Sequence, residues 1–284
     1  MITIKAPAKV NLTLRILGKR DDGYHALESV MRTVSLVDTL EIQPARELIF
    51  HCNTHSLNYA NNLVLKAARL LREETGCKMG ARITLDKKVP TRAGLGGGSS
   101  DAAAVLIGLD ILWGLQLPVD DLARLSARLG SDIPFFFYTP TALISGRGEL
   151  VTKLGSYPPC DIVLVKPKSG LPTPQVYAEL QAAPVKITTV VNAAETLAMI
   201  AALAQGDPAG IAASLTNDLQ ATAFRLLPEL AILRDKMLAA GCLGAILSGS
   251  GSALFGICPD EGTAVKVEQK LHYQGLWTWS GKLG

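Results

Sequence analysis

Pro90-Thr91-Arg92-Ala93-Gly94-Leu95-Gly96-Gly97-Gly98-Ser99-Ser100-Asp101-Ala102-Ala103 places four glycines and two serines directly in front of an apolar helical pattern. Glycine adopts positive φ without penalty and lets the backbone close on a ligand, so successive N–H groups can converge while the following helix adds its positive end. The stretch reads as a phosphate cradle. From Ala102 to Leu115 the residues are mostly Ala, Val, Leu and Ile with Asp110 as the one internal charge, which predicts a buried helix that aims its N-terminus rigidly. A flexible loop ending in a serine N-cap is the plainer alternative. No Gly-Lys-Ser/Thr follows at Walker A spacing, and the strand-plus-acid setting of a dinucleotide fingerprint is missing, so the phosphate-binding class is a different one.

Five further stretches stand out. Residues 9–16 alternate, with Lys9, Asn11, Thr13 and Arg15 on one face of a predicted strand and Val10, Leu12, Leu14 and Ile16 on the other. Gly18-Lys19-Arg20-Asp21-Asp22-Gly23 is a turn by composition, and Tyr24-His25 opens the next strand. Residues 118–129 read as a helix stopped by Gly130, followed by Ser131-Asp132-Ile133-Pro134 and the trio Phe135-Phe136-Phe137. Asp132 there is either a turn carboxylate or a reactive group held rigid by an apolar anchor. Near the carboxyl end, Ser248-Gly249-Ser250-Gly251-Ser252 follows Ala245-Ile246-Leu247 as a second glycine loop, and Pro172-Thr173-Pro174 makes a stiff lead into a helix-like segment at Tyr177.

Together these stretches resemble the superfamily of galactokinase, homoserine kinase, mevalonate kinase and phosphomevalonate kinase. Its second motif, Pro-x3-Gly-Leu-Gly-Ser-Ser-Ala-Ala, is matched by Pro90, Gly94, Leu95 and Gly96, with Gly97-Gly98 inserted and Asp101 placed before the alanines. Those extra glycines are similar to the diphosphocytidyl branch. Pro7-Ala8-Lys9-Val10-Asn11-Leu12 and Gly23-Tyr24-His25 resemble the family's opening, Gly130 to Phe135 its Gly-x-Asp-x-Pro-Phe segment, and residues 248–256 its third motif.

The resemblance implies an α+β, two-domain fold with the active site in the cleft between domains, ATP with Mg2+ as cofactors, and a cytidine diphosphate-linked methylerythritol alcohol as small-molecule substrate. It implies catalytic roles for Lys9 near the transferred phosphoryl group and Asp132 as base. ATP would be held by Pro90, Thr91, Arg92, Ala93, Gly94, Leu95, Gly96, Gly97, Gly98, Ser99 and Ser100, with Asn62, Leu63 and Lys87 at adenine. The substrate would meet Asn11, Tyr24, His25, Thr173 and Tyr177, with Tyr177 stacking on cytosine, and Gly249, Ser250 and Gly251 would support the cradle. Asn217-Asp218-Leu219 also matches family wording, in a supporting role. Metal ligands stay open among Ser99, Ser100 and Asp101.

Composition sets the outer limits. The 284 residues, 48% hydrophobic and 19% charged, suffice for two cores, and a net charge of +3 from scattered lysines and arginines offers no basic stripe for nucleic acid. No apolar run reaches the roughly 18 residues of a membrane span, and no leader-like pattern opens the chain. Five cysteines without a Cys-x-x-Cys pair fit a reducing, cytoplasmic setting. The turn-rich Gly155-Ser156-Tyr157-Pro158-Pro159 predicts a boundary between an ATP-binding domain at 1–154 and a substrate-binding domain at 155–284. Oligomeric state is left open. Two other readings remain: another enzyme of the superfamily, such as a homoserine kinase or a mevalonate-type diphosphate decarboxylase, and a non-catalytic nucleotide sensor on the same fold.

Overall fold

The computed structural model describes residues 1–180, 194–272 and 275–284. In chain order the first half forms β1 (Ile2–Asn11), β2 (Thr13–Lys19), β3 (His25–Ala45), β4 (Leu48–Cys52), α1 (Leu63–Thr75), β5 (Gly80–Asp86), α2 (Gly97–Trp113), α3 (Val119–Ser126), β6 (Thr141–Ser145) and β7 (Leu150–Lys153). The second half forms β8 (Cys160–Lys166), α4 (Thr173–Ala178), α5 (Ala194–Gln205), α6 (Pro208–Ala213), β9 (Thr216–Asn217), α7 (Gln220–Leu226), α8 (Glu229–Ala240), β10 (Gly244–Leu247), β11 (Leu254–Cys258), α9 (Glu261–His272) and β12 (Trp277–Leu283). No helix among the described residues is long and apolar enough to cross a membrane.

These elements divide into two compact units that interleave along the chain. One comprises Met1–Ala8, Leu36–Thr91 and Gly96–Thr139; the other comprises Lys9–Ser35, Arg92–Leu95 and Pro140–Gly284. The partition differs from a single break at 154/155, because residues 9–35 group with the carboxyl-terminal half. The turn-rich stretch does lie between two strands, β7 and β8. Composition registers that turn but carries no signal for the long-range pairing of β2 and the first half of β3.

In the first unit the later half of β3 pairs antiparallel with β5, from Thr39↔Asp86 to Ala45↔Gly80, and β4 pairs with β5 in parallel. Helix α2 lies close to the strands: a Cβ on Gly108 would run into Ile42 and come within 3.0 Å of Ile4 Cδ1. Its Ala102, Ala103, Val105, Leu106 and Leu109 are buried. The helix begins at Gly97, five residues before its apolar pattern, so Gly97, Gly98, Ser99 and Ser100 form its first turn. Glycine's poor helix propensity concealed that start from the sequence.

In the second unit β2 and the first half of β3 are antiparallel, from Arg15↔Glu28 to Lys19↔His25, and β6 pairs with β3 on residues 29–32. A second run places β8 between β11 and β12, antiparallel to both. Ile162, Val163, Leu164 and Val165 of β8 have no exposed surface, which accounts for their unbroken apolar run where a one-sided strand would alternate. The strand expected over residues 9–16 is interrupted: β1 ends at Asn11, the chain bends at Leu12 and β2 starts at Thr13. The helix expected over 118–129 is shorter, and its cap is Ala127 rather than Gly130.

Candidate active site

The expected site residues fall in both units. In the second unit, residues 92–95 carry the bend of the first glycine loop, with φ at +53° for Arg92 and +74° for Gly94. A side chain at Gly94 would strike the carbonyl oxygen of Ser248. The second glycine loop, the β10–β11 connection, is laced to this bend: Ser248 Oγ donates to the Gly94 carbonyl at 3.0 Å and Ala253 N–H to the Ala93 carbonyl at 3.0 Å. Asn217 holds the second loop from behind, its Nδ2 donating to the carbonyls of Leu247 at 2.9 Å and Gly249 at 2.8 Å. A supporting role was expected of Asn217, but these two carbonyls were not legible in sequence.

Lys9 enters this arrangement from the end of β1. Its backbone N–H donates to the Leu95 carbonyl at 2.9 Å, and its Nζ donates to Asn11 Oδ1 at 2.6 Å. Asn11 Nδ2 in turn donates to Ser29 Oγ at 2.8 Å, and Ser29 Oγ donates to the Thr13 carbonyl. A Cβ built on Gly249 would stand 3.5 Å from Lys9 Nζ and 3.3 Å from the Gly94 carbonyl oxygen. The ammonium therefore lies beside Gly249 of the second glycine loop, while the Lys9 backbone is bonded to the first, and Lys9 is only 3% exposed. It is not the wet face of an edge strand. Ser29 was missed, because a lone serine in a strand carries no signal.

The expected substrate end lies in the same unit. His25 and Tyr177 pack with ring centroids 5.3 Å apart and tilted by 38°. Partial burial, reinforced by the Lys19 charge, pulls the His25 pKa below its ordinary value and favours the neutral imidazole. Tyr24 is 54% exposed, with the Arg147 guanidinium 5.0 Å from its ring centroid. Thr173 is the first residue of α4, and its Oγ1 lies 2.7 Å from Ser250 Oγ. Tyr177 sits within α4 rather than at a helix start.

In the first unit, α2 follows Gly96, itself at φ +68°. The first N–H groups of a helix have no intrahelical partner, and the space beside Gly98 is open, with nothing within 4 Å of a Cβ placed there. Ser100 Oγ is buried without a hydrogen-bond partner among the described residues. These donors suit an anion, and Ser100 Oγ offers an oxygen of the kind magnesium takes.

Asp132 precedes the short 3-10 turn Pro134–Phe137, which packs against α2 and α3. Ile133 and Phe135 are fully buried and Phe136 is 7% exposed, while Asp132 itself is half-buried. Burying one such phenylalanine contributes roughly 1.5–3 kcal/mol, which anchors the turn that presents the carboxylate.

The residues expected at adenine behave differently. The Asn62 side chain caps α1, its Oδ1 accepting from Val64 N–H at 2.9 Å and its Nδ2 donating to the Leu57 carbonyl at 2.9 Å. Leu63 is half-buried at the first position of that helix. The Lys87 ammonium is engaged by two buried carboxylates, Asp38 and Asp101, and its side chain is 5% exposed. An adenine contact through that ammonium does not fit. Burial, assisted by the Asp38 charge and opposed by Lys87, raises the Asp101 pKa to about 7. Burial lowers the Lys87 pKa, but the Asp101 and Asp38 charges outweigh it and the net shift is upward. Asp38 was not singled out in sequence: it is one polar residue inside a 21-residue strand.

Comparison with known proteins shows the family of the chain. Residues 62–139 match the model of the GHMP kinases N terminal domain, and residues 199–275 match that of the GHMP kinases C terminal domain. A protein of Listeria monocytogenes serotype 4a named 4-diphosphocytidyl-2-C-methyl-D-erythritol kinase is 42% identical over 97% of this chain and 92% of its own length. A protein of the same name from Symbiobacterium thermophilum is 43% identical over 97% of both chains. The crystal structure of a 4-(cytidine 5'-diphospho)-2C-methyl-D-erythritol kinase superposes with a TM-score of 0.84 at 37% identity, covering 100% of this chain and 99% of that one. Homoserine kinase from Cytophaga hutchinsonii shares the fold, at a TM-score of 0.73 and 19% identity over 99% of this chain and 94% of its own. By near-full-length identity to these relatives, the chain belongs to the 4-diphosphocytidyl-2-C-methyl-D-erythritol kinase family of the GHMP kinases.

Proposed function

We propose that this protein transfers the terminal phosphoryl group of ATP to the 2-hydroxyl of 4-diphosphocytidyl-2-C-methyl-D-erythritol. One observation carries the chemistry: Lys9 is bonded through its backbone N–H to Leu95 of the first glycine loop, and its ammonium lies beside Gly249 of the second. Phosphoryl transfer needs positioning and charge compensation more than covalent chemistry. Lys9 supplies positive charge to the group in flight, and backbone N–H groups of residues 94–99 bind the phosphates. Asp132 orients the alcohol and accepts its proton late, since a carboxylate is a weak base toward an alcohol. Ser100 Oγ, buried without a partner among the described residues, is the side-chain oxygen that would hold a magnesium ion, which when bound would supply charge neutralisation at the phosphates.

The substrate assignment is supported by relatives named for it at 42% identity and by the His25–Tyr177 pair. A base stacked on an aromatic ring gains about 1–3 kcal/mol, enough to select a cytidyl alcohol over homoserine. Tyr24, Asn11 and Thr173 complete that end. The test is ADP release from ATP with the cytidyl alcohol, homoserine or mevalonate, in wild type and in Lys9→Ala and Asp132→Asn. Turnover is expected with the cytidyl alcohol alone, and each substitution is expected to lower kcat by about 100-fold or more with little change in ATP binding. Efficient turnover of homoserine instead, or wild-type rates in both variants, overturns the reading.

A further inference from the structure

Asp38, in the middle of β3, has no exposed surface, and its two carboxylate oxygens do different things. Oδ1 accepts the backbone N–H groups of Lys88 at 2.5 Å and Val89 at 2.8 Å, while Oδ2 pairs with the Lys87 ammonium. That ammonium also donates to Asp101 Oδ2 at 2.8 Å. Lys87, Lys88 and Val89 are the residues just before Pro90, where the glycine-rich stretch begins, and Asp101 comes just after Ser100, where it ends. One buried chain of carboxylate, ammonium and carboxylate thus ties both ends of the loop to the same strand. Gly97 makes room for it: a Cβ there would stand 2.8 Å from Lys87 Nζ and 2.9 Å from Val89 Cγ1.

Burying three ionisable groups is costly, and apolar side chains of similar volume commonly hold a core as well or better. What apolar packing does not supply is direction: each hydrogen bond here fixes one point of the loop's base. We propose that Asp38, Lys87 and Asp101 form a clasp that sets the spacing between the loop's two ends, so that Lys87 and Asp101 are positioning residues for the nucleotide phosphates. The inference rests on the kinase function proposed above. It replaces the adenine contact expected of Lys87 with a role beneath the phosphates.

The test is steady-state kinetics on Lys87→Met, Lys87→Arg and Asp101→Asn, varying ATP and the cytidyl alcohol separately, with thermal melts to identify folded variants. Lys87→Met and Asp101→Asn are expected to raise KM for ATP by about tenfold or more, because small misplacements of binding groups are amplified, while KM for the alcohol stays within about twofold. Lys87→Arg, which keeps a cation between the carboxylates, is expected to recover most of the loss. A role in stability alone would lower the active fraction, and therefore kcat, without moving KM for ATP. Should Lys87→Met not fold, Asp101→Asn, of nearly the same volume, decides. Unchanged KM for ATP in the folded variants overturns the clasp. Absence of wild-type turnover of the cytidyl alcohol would instead defeat the functional reading, and calorimetry of ATP binding without alcohol would then still decide the clasp by the same comparison.

Discussion

Asp101 makes the stability of the fold depend on pH. Burial, with the Asp38 charge, holds its pKa at about 7 in the folded protein, against 3.8 for an ordinary aspartate. Between those values the folded state keeps a proton that the unfolded chain has released, so the contribution of this group to stability falls as pH rises from about 4 to about 7 and is level above. The raised Lys87 pKa acts in another window: its contribution is present below the ordinary lysine value and is lost as pH rises through the folded one. Asp101→Asn removes the first effect. The melting temperature of the variant, relative to wild type, is expected to improve by a few degrees between about pH 4.5 and about pH 7.5, measured by circular dichroism. A difference that is constant across that range contradicts the assignment.

The same residues show what motif spacing can and cannot reveal. Resemblance of contiguous motifs points to Lys9 and sets Lys87 at adenine. The partners of Lys87 could not be read, since Asp38 comes from a strand 49 residues earlier. Asn62 was likewise flagged by position, whereas its capping of α1 is a local geometry that any Asn before an apolar helix can adopt.

At the scale of elements, the two glycine loops differ from flexible linkers in how tightly each bend is specified. Gly94 combines a left-handed φ with the Ser248 carbonyl standing where a Cβ would go, whereas Gly98 is helical and open. Gly94→Ala is expected to cost about 2 kcal/mol or more, from the conformational penalty and the steric clash together, and to weaken ATP binding. Gly98→Ala is expected to be neutral or slightly stabilising to the fold, since alanine is the better helix former. Paired thermal melts check this, and equal losses at both positions would contradict the loop geometry. The start of α2 was misplaced in sequence for the reason these glycines are there: the residues that open a backbone to an anion are the ones that hide a helix from a propensity argument. The buried body of α2, by contrast, was plain from its run of Ala, Val, Leu and Ile.

At the scale of the whole molecule, mixed α and β structure and kinase family were legible, because three separated motifs each carry a local signature. The partition into units was not. Residues 25–35 of β3 belong to one unit and residues 36–45 to the other, and nothing in the composition of that continuous strand marks the change. Long-range pairing, such as Leu283↔Val34 between β12 and β3, is decided by register and burial that a linear reading does not contain.

The central claim is a regiospecific phosphorylation by a loop-bound nucleotide, and phosphorus NMR of the reaction of ATP with 4-diphosphocytidyl-2-C-methyl-D-erythritol tests it most directly. One new phosphomonoester resonance, coupled to the carbon bearing the 2-hydroxyl and formed in equal amount with ADP, is the expected result. ADP formed without that resonance, or a phosphate found on a different hydroxyl, contradicts it.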